Sequence, residues 1–440
     1  HEALKDPCFD QDLGESVTLH TAKDTAAKVI ILSLGDEQEK SSENLRRAFG
    51  QVAKQIKKSK HVCFDLSGLE VAPALEGFLL GTYKFEMYLS KKSDKVEKLS
   101  LLGVANKEQD LIADTQKICE EVYYVRDLVN NPDHTITPNF LADEAKKLAK
   151  EFKSISVTDF SAKQVEKMGM GAIIAVGRGS VHEPHLVVLE YKPASAKNKK
   201  PIVVVGKGIT FDTGGLNLKP TGHIETMKQD MAGAATSLAL MKLMARLRVP
   251  VYTVVVLPLA ENAISDRATK PGSIISAYNG KTIEITHTDA EGRLILADAL
   301  AYAEKKYKPE YMLDVATLTG AALVTLGRDI TAVMGNSESF VETYLKAAKE
   351  VGEKAWPLPI DEDYAKSVKG SISDLINLSR NEKAGAIMGA AFLREFIGKT
   401  KNWIHLDIAG TAWAEKNSHY RQEGGTGDPL RTLLKLVQKL

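Results

Sequence analysis

Residues Pro201 to Gly215 read P-I-V-V-V-G-K-G-I-T-F-D-T-G-G, a short apolar run that stops at a glycine and is followed at once by a lysine and then an aspartate. A run this brief is too short for an independent helix and too continuously apolar for a strand with one wet face, so it suits a strand covered on both sides. Ionisable side chains just beyond the carboxyl end of such a strand stand where open α/β sheets place their sites. Working outward, G-A-I-I-A-V-G from Gly171, H-L-V-V-L-E-Y from His185, V-Y-T-V-V-V-L-P-L from Val251, K-T-I-E-I-T from Lys281 and Y-M-L-D-V-A-T-L-T from Tyr311 all read as further strands. Helical spacing intervenes, as in Ala232 to Leu247, so the expectation is an α/β/α domain around a mixed, mostly covered sheet.

A smaller α/β unit precedes it. V-I-I-L from Val29, H-V-C-F-D-L from His61 and K-L-S-L-L from Lys98 read as strands, while Leu45, Phe49, Val52 and Ile56 share a helical face and a second apolar helix starts near Ala74. We expect an N-terminal α/β domain over 1–112 with a role in assembly, and a catalytic domain over 113–440 that opens with a linker helix through Ile118, Val122 and Val125. The stretch N-N-P-D-H-T-I-T-P from Asn130 then ends that helix with two prolines.

Composition narrows the function. With 58 basic against 57 acidic residues and a formal charge of +1, no capture of nucleic acid or of an anionic membrane is indicated. No run approaches the ~18 uninterrupted apolar residues of a membrane span. Three scattered cysteines, Cys8, Cys63 and Cys119, make no disulfide framework and favour a reducing, cytoplasmic compartment. The first residue is His1 rather than methionine, which leaves a removed leader open. The lysine-rich runs near 91 and 197 read as solvated loops.

Chemistry-bearing residues gather after the strands. Lys207, Asp212 and Lys219 follow the opening run, yet neither G-x-x-x-x-G-K-[ST] nor G-x-G-x-x-G is present, so a phosphate loop is disfavoured. Asp230 precedes a helix, and Asp289, Glu291 and Arg293 stand in T-H-T-D-A-E-G-R-L from Thr286. Singly, each acid could cap a helix and Arg293 could pair with one of them. Together, four converging carboxylates would hold about −4 in a partly buried place, which is prohibitive without cations. Two divalent ions would cancel that charge, and carboxylate-rich ligation without histidine suits hard or borderline ions. H-E-x-x-H is absent. Gly292 would permit a bend, leaving Arg293 as an anion receptor.

D-A-E-G-R-L from Asp289, V-G-K-G-I-T-F-D-T-G-G from Val205, K-Q-D-M-A-G-A-A around Asp230, A-T-L-T-G-A from Ala316 and W-I-H-L-D-I-A-G from Trp403 resemble the leucyl aminopeptidase family of two-metal exopeptidases. The resemblance covers roughly residues 120 to 435 with the motifs in the family's order. It implies homohexamers that release single residues, leucine and other apolar ones foremost, from peptides with a free N-terminus. It also implies Asp212 and Glu291 as bridging ligands, Asp289 completing one metal site, and Lys207 with Asp230 completing the other. The ions implied are Zn²⁺ or Mn²⁺, with Mg²⁺ and Co²⁺ as further candidates. By the same resemblance Lys219 polarises the scissile carbonyl, Arg293 holds a bicarbonate ion that acts as base, and Met227, Thr317, Gly320, Ala409 and Ala412 shape the side-chain pocket. Two positions depart from the family: His287 stands where asparagine is usual, and Asp428 where arginine is common. A metal-dependent phosphoric-ester hydrolase and a catalytically inactive assembly protein on the same fold are the rival readings.

Overall fold

In the computed structural model, which describes residues 12–21, 28–36, 41–56, 59–379 and 383–440, the chain forms two compact units. One comprises His1–Tyr123 with Glu350–Gly352 and Ala414–Gly424, and the other the remainder. Cys8 and His1 lie outside the described residues. Within the first unit β1 (Ser16–His20) pairs antiparallel with β2 (Lys28–Leu32). There follow α1 (Ser42–Ala53), β3 (His61–Asp65), α2 (Val71–Thr82) and β4 (Lys98–Leu102), with β3 and β4 parallel. Leu45, Phe49, Val52 and Ile56 are buried in one core with Ala74 and Phe78, and Phe64 stands edge-on to Phe49 at 5.0 Å and to Phe78 at 4.7 Å. Gly77 brings the two helices together, since a Cβ there would lie 2.1 Å from the Arg46 carbonyl oxygen.

Helix α3 (Gln109–Asn130) carries Ile118, Val122 and Val125 and stops before the prolines. Both the division between the units and the 112/113 boundary expected from sequence fall inside this one helix, whose regular apolar spacing does not mark where one unit's packing ends. Helix α4 (Pro138–Glu151) begins at the second proline, where the Thr137 hydroxyl accepts the Phe140 N–H at 3.2 Å.

The larger unit continues through β5 (Ile155–Phe160), α5 (Ala162–Lys167), α6 (Gly171–Gly177), β6 (His185–Tyr191), β7 (Ile202–Gly206), β8 (Gly208–Asp212) and α7 (Ala232–Arg246). Next come β9 (Thr253–Asn262), β10 (Ser273–Ser276), β11 (Thr282–Ile285), α8 (Gly292–Tyr307), β12 (Tyr311–Ala316), α9 (Gly320–Leu326) and β13 (Ile330–Gly335). The last elements are α10 (Glu338–Val351), β14 (Lys354–Pro357), α11 (Glu362–Lys366), β15 (Leu375–Ile376), α12 (Gly385–Arg394), β16 (Asn402–Asp407) and α13 (Leu430–Lys439). The main sheet runs β14-β13-β16-β12-β7-β9-β6-β5, with β8 alongside β9. Its centre, β16-β12-β7-β9, is parallel, while β13 and β6 are antiparallel to their inner neighbours, so the sheet is mixed as expected.

Strand β7 is buried along its whole length. Val203 and Val205 share a core with Leu294, Ile295 and Leu296 of α8, and α7 packs against β7, β9 and β12. Two expectations are corrected. G-A-I-I-A-V-G is helix α6, not a strand: a seven-residue apolar run fits either, and the Asp298 carboxylate accepts the Ala172 and Ile173 N–H groups at 2.9 and 3.0 Å, satisfying the helix start from a distant part of the chain. K-T-I-E-I-T becomes β11, which belongs to a separate three-stranded sheet, β10-β11-β15. The four acids therefore do not all issue from one sheet, because Asp289 and Glu291 follow β11. No described helix is long and apolar enough to cross a membrane.

Candidate metal centre

The strand ends deliver the charges. Lys207 lies between β7 and β8, Asp212 closes β8, and Asp230 follows a single 3₁₀ turn over Met227–Gln229. Asp289 and Glu291 sit on the connection from β11 into α8, and Thr317 follows β12. Asp212, Asp230 and Glu291 each offer a carboxylate oxygen within 4.8 Å of the others, and all three are buried. The Lys207 ammonium, 2 % exposed, bridges Asp230 Oδ1 at 2.7 Å and Glu291 Oε1 at 2.9 Å and donates to the Thr317 carbonyl at 2.8 Å. Lys219 bridges the other way, to Asp212 Oδ2 at 2.8 Å and to Asp289. Each lysine thus stands between two carboxylates, and Asp289 joins the group through Lys219.

Gly292 serves a different purpose from the bend expected of it. It is the first residue of α8, and a Cβ there would lie 2.5 Å from Lys207 Cε and 2.6 Å from Nζ. The missing side chain is what lets the amine reach Glu291.

Burial pushes the Lys207 and Lys219 amines down, but the surrounding carboxylates outweigh it and both stand above their ordinary value. Burial raises Asp230 well above the carboxylate range against the pull of Lys207, and burial with Glu291 raises Asp289 against Lys219. Two lysines are too few to keep all four acids ionised, which is why burial and the neighbouring carboxylates raise Asp230 and Asp289. Among the described residues Asp230 Oδ2 and Glu291 Oε2 are also buried without a hydrogen-bond partner. Buried oxygens of this kind are rare unless something else binds them, and an all-carboxylate set with an amine fits divalent cations.

Residues 123–434 match the cytosol aminopeptidase family, catalytic domain, and residues 1–92 match that family's N-terminal domain. The chain belongs to the cytosol aminopeptidase family. Proteins named "Probable cytosol aminopeptidase" from Geobacter sp. (strain M21) and Aquifex aeolicus (strain VF5) are each 39% identical to it. Those alignments span 98% of this chain and 90% of the Geobacter protein, and 97% and 88% for the Aquifex one. Among solved structures, the bottromycin maturation enzyme BotP in complex with Mn superposes with a TM-score of 0.91 at 32% identity, covering 98% of this chain and 94% of that one.

In this member of the cytosol aminopeptidase family the expected pocket residues are placed unevenly. Thr317 touches the centre directly, its hydroxyl donating to Asp230 Oδ1 at 2.6 Å. Met227 and Ala409 are half-buried, Gly320 is exposed at the start of α9, and Ala412 is 2 % exposed. Arg293 is buried, donates through one terminal nitrogen to the Asn377 carbonyl at 2.9 Å, and has no partner for Nε. Burial lowers its guanidinium to about 10 against the support of Glu291 and Asp407.

Sequence reasoning missed the residues that hold these groups. Asn262 donates to Asp212 Oδ1 at 2.8 Å and to the Thr288 carbonyl at 3.1 Å, tying β9 to the end of β8 and to the connection that carries Asp289 and Glu291. Asn377 Oδ1 accepts the Thr286 N–H at 2.8 Å and its amide donates to the His287 carbonyl at 2.7 Å. His287 Nδ1 in turn accepts the Asp289 N–H at 3.3 Å, so this departure from the family touches a predicted ligand's backbone. Asp428, the other departure, is buried. Nothing near Asn377 in sequence announces its partners, which lie some ninety residues away.

Proposed function

We propose that the protein is a two-metal aminopeptidase that releases single N-terminal residues, leucine and other apolar ones foremost, from peptides. The observation that carries this is the pair of partnerless buried oxygens, Asp230 Oδ2 and Glu291 Oε2, beside Asp212. Lys207, Asp212, Asp230, Asp289 and Glu291 would hold two divalent ions, Zn²⁺ or Mn²⁺ foremost. Bound there, such ions supply Lewis acidity and bring ionisation of a water near neutral pH. Lys219, held positive by its carboxylate neighbours, meets negative charge developing on the scissile carbonyl oxygen. Arg293 holds a small anion such as bicarbonate through its free Nε and so places a proton acceptor beside the reacting water. Thr317 fixes Asp230, and Met227 and Ala409 shape an apolar pocket with Gly320 and Ala412. A homohexamer in the cytoplasm, with the N-terminal domain contributing to assembly, completes the proposal.

The test is hydrolysis of leucine anilide by chelator-treated protein reloaded with Mn²⁺ or Zn²⁺. The reading requires recovery with metal, no cleavage of the N-acetylated substrate, and no comparable turnover of a phosphate ester. Glu291→Gln should lower metal occupancy and turnover together; undiminished turnover refutes the ligand role.

A further inference from the structure

Opposite the carboxylates, the amino ends of the parallel strands carry a second concentration of charge, of the other sign. The loop between β6 and β7 brings Lys197, Lys199 and Lys200 to a groove of about 610 Å³. Lys305 and Lys308 at the end of α8, with Lys399 before β16, line a neighbouring groove of about 600 Å³ that shares Lys200. All six lysines are exposed, and none forms an ion pair among the described residues. The side-chain carboxylates lining the two grooves are Glu304 and Glu310, and Glu304 already accepts the Lys399 backbone N–H at 3.0 Å. In a chain whose formal charge is only +1, this is a strong local excess of positive charge.

The chemistry of the grooves narrows the partner. Half-buried Leu247 and Pro250, backed by buried Val249 and Val251, line the first groove with apolar surface. Neither groove is lined by an arginine, which would fork onto phosphate, or by an aromatic ring, on which a base would stack. Lysines around an apolar trough suit carboxylates interleaved with apolar side chains. We propose that this face docks an acidic polypeptide segment of a partner protein, with apolar side chains on Leu247 and Pro250 and carboxylates against the lysines. Strand β7 separates this face from Lys207 by five residues, about 17 Å at strand rise, so an occupant leaves the metal centre open.

The test uses full-length, metal-loaded protein and a fluorescent, N-acetylated Glu-Glu-Leu repeat peptide, which is blocked against cleavage. We expect saturable binding that weakens about tenfold in the triple variant Lys197→Glu, Lys199→Glu, Lys200→Glu. Binding should also fall steeply with added salt and be weaker for a Glu-Glu-Gly repeat. The variant Lys91→Glu, Lys92→Glu, Lys95→Glu, with the same change in net charge on the other unit, should bind as wild type does. Melting curves check that both variants fold. The proposal is overturned by absence of binding, by equal loss in both variants, or by preferential binding of a single-stranded oligonucleotide or of anionic vesicles.

Discussion

Replacing Gly292 with alanine asks whether the centre depends on one absent methyl group. The new Cβ would stand 2.5 Å from Lys207 Cε and 2.6 Å from Nζ, where non-bonded atoms keep about 3.5–4.0 Å. To clear it the amine must retreat by ~1 Å. Its contacts of 2.7 Å to Asp230, 2.8 Å to Thr317 and 2.9 Å to Glu291 would then open beyond useful hydrogen-bonding distance. Losing part of a buried ion-pair network costs about 3–5 kcal/mol. At the first position of α8 alanine returns less than the ~1 kcal/mol of propensity it would in a helix interior, leaving a net loss of at least about 2–4 kcal/mol. Urea denaturation of chelator-treated protein reads that loss, and calorimetric titration with Mn²⁺ should show affinity weakened about 10–100-fold as Asp230 and Glu291 lose their anchor. In a Lys207→Ala background the clash is gone, so Gly292→Ala should cost under about 1 kcal/mol. Gly320→Ala, where a Cβ meets nothing within 4 Å, is the matched control. Wild-type stability and Mn²⁺ affinity in Gly292→Ala would refute the reasoning.

Asp298 is wholly buried and accepts backbone N–H groups from Ala172, Ile173 and Tyr278, and burial pushes its carboxyl up to about 7. A carboxyl raised in the folded state favours folding at low pH, and that contribution is lost as pH rises from about 4 to about 7. Between about pH 5 and pH 7 wild type should therefore lose about 2–3 kcal/mol relative to Asp298→Asn, and parallel pH profiles from urea melts would contradict this. Asn377→Ala removes the amide that ties 286–287 to the strand carrying residue 376; we expect about 2–3 kcal/mol of destabilisation and faster amide hydrogen exchange at Thr286, and unchanged exchange would contradict the tie. His287→Asn restores the family's usual residue and a short acceptor for the Asp289 N–H, so stability should shift by less than about 0.5 kcal/mol, checked by thermal melting.

The apolar run at β7 was legible because a covered strand needs a composition that little else needs, and the ligand candidates were legible because D-A-E-G-R and its companion motifs are long and ordered. G-A-I-I-A-V-G was not, since seven apolar residues carry no period, and its helical state is secured by Asp298 from over a hundred residues away. Nor could the sequence say that Asp289 and Glu291 hang from a separate small sheet, because strand pairing is settled by partners remote in the chain. Residue types and local spacing determined by themselves that the chain alternates strand and helix, that acids and lysines follow the strands, and which family carries that pattern. Tertiary structure alone decided that Lys207 and Lys219 each stand between two acids, that Gly292 must lack a side chain, and that Asn262 and Asn377 hold the loops. Those facts rest on distances between segments up to a hundred residues apart, and such distances exist only once the chain has closed around them.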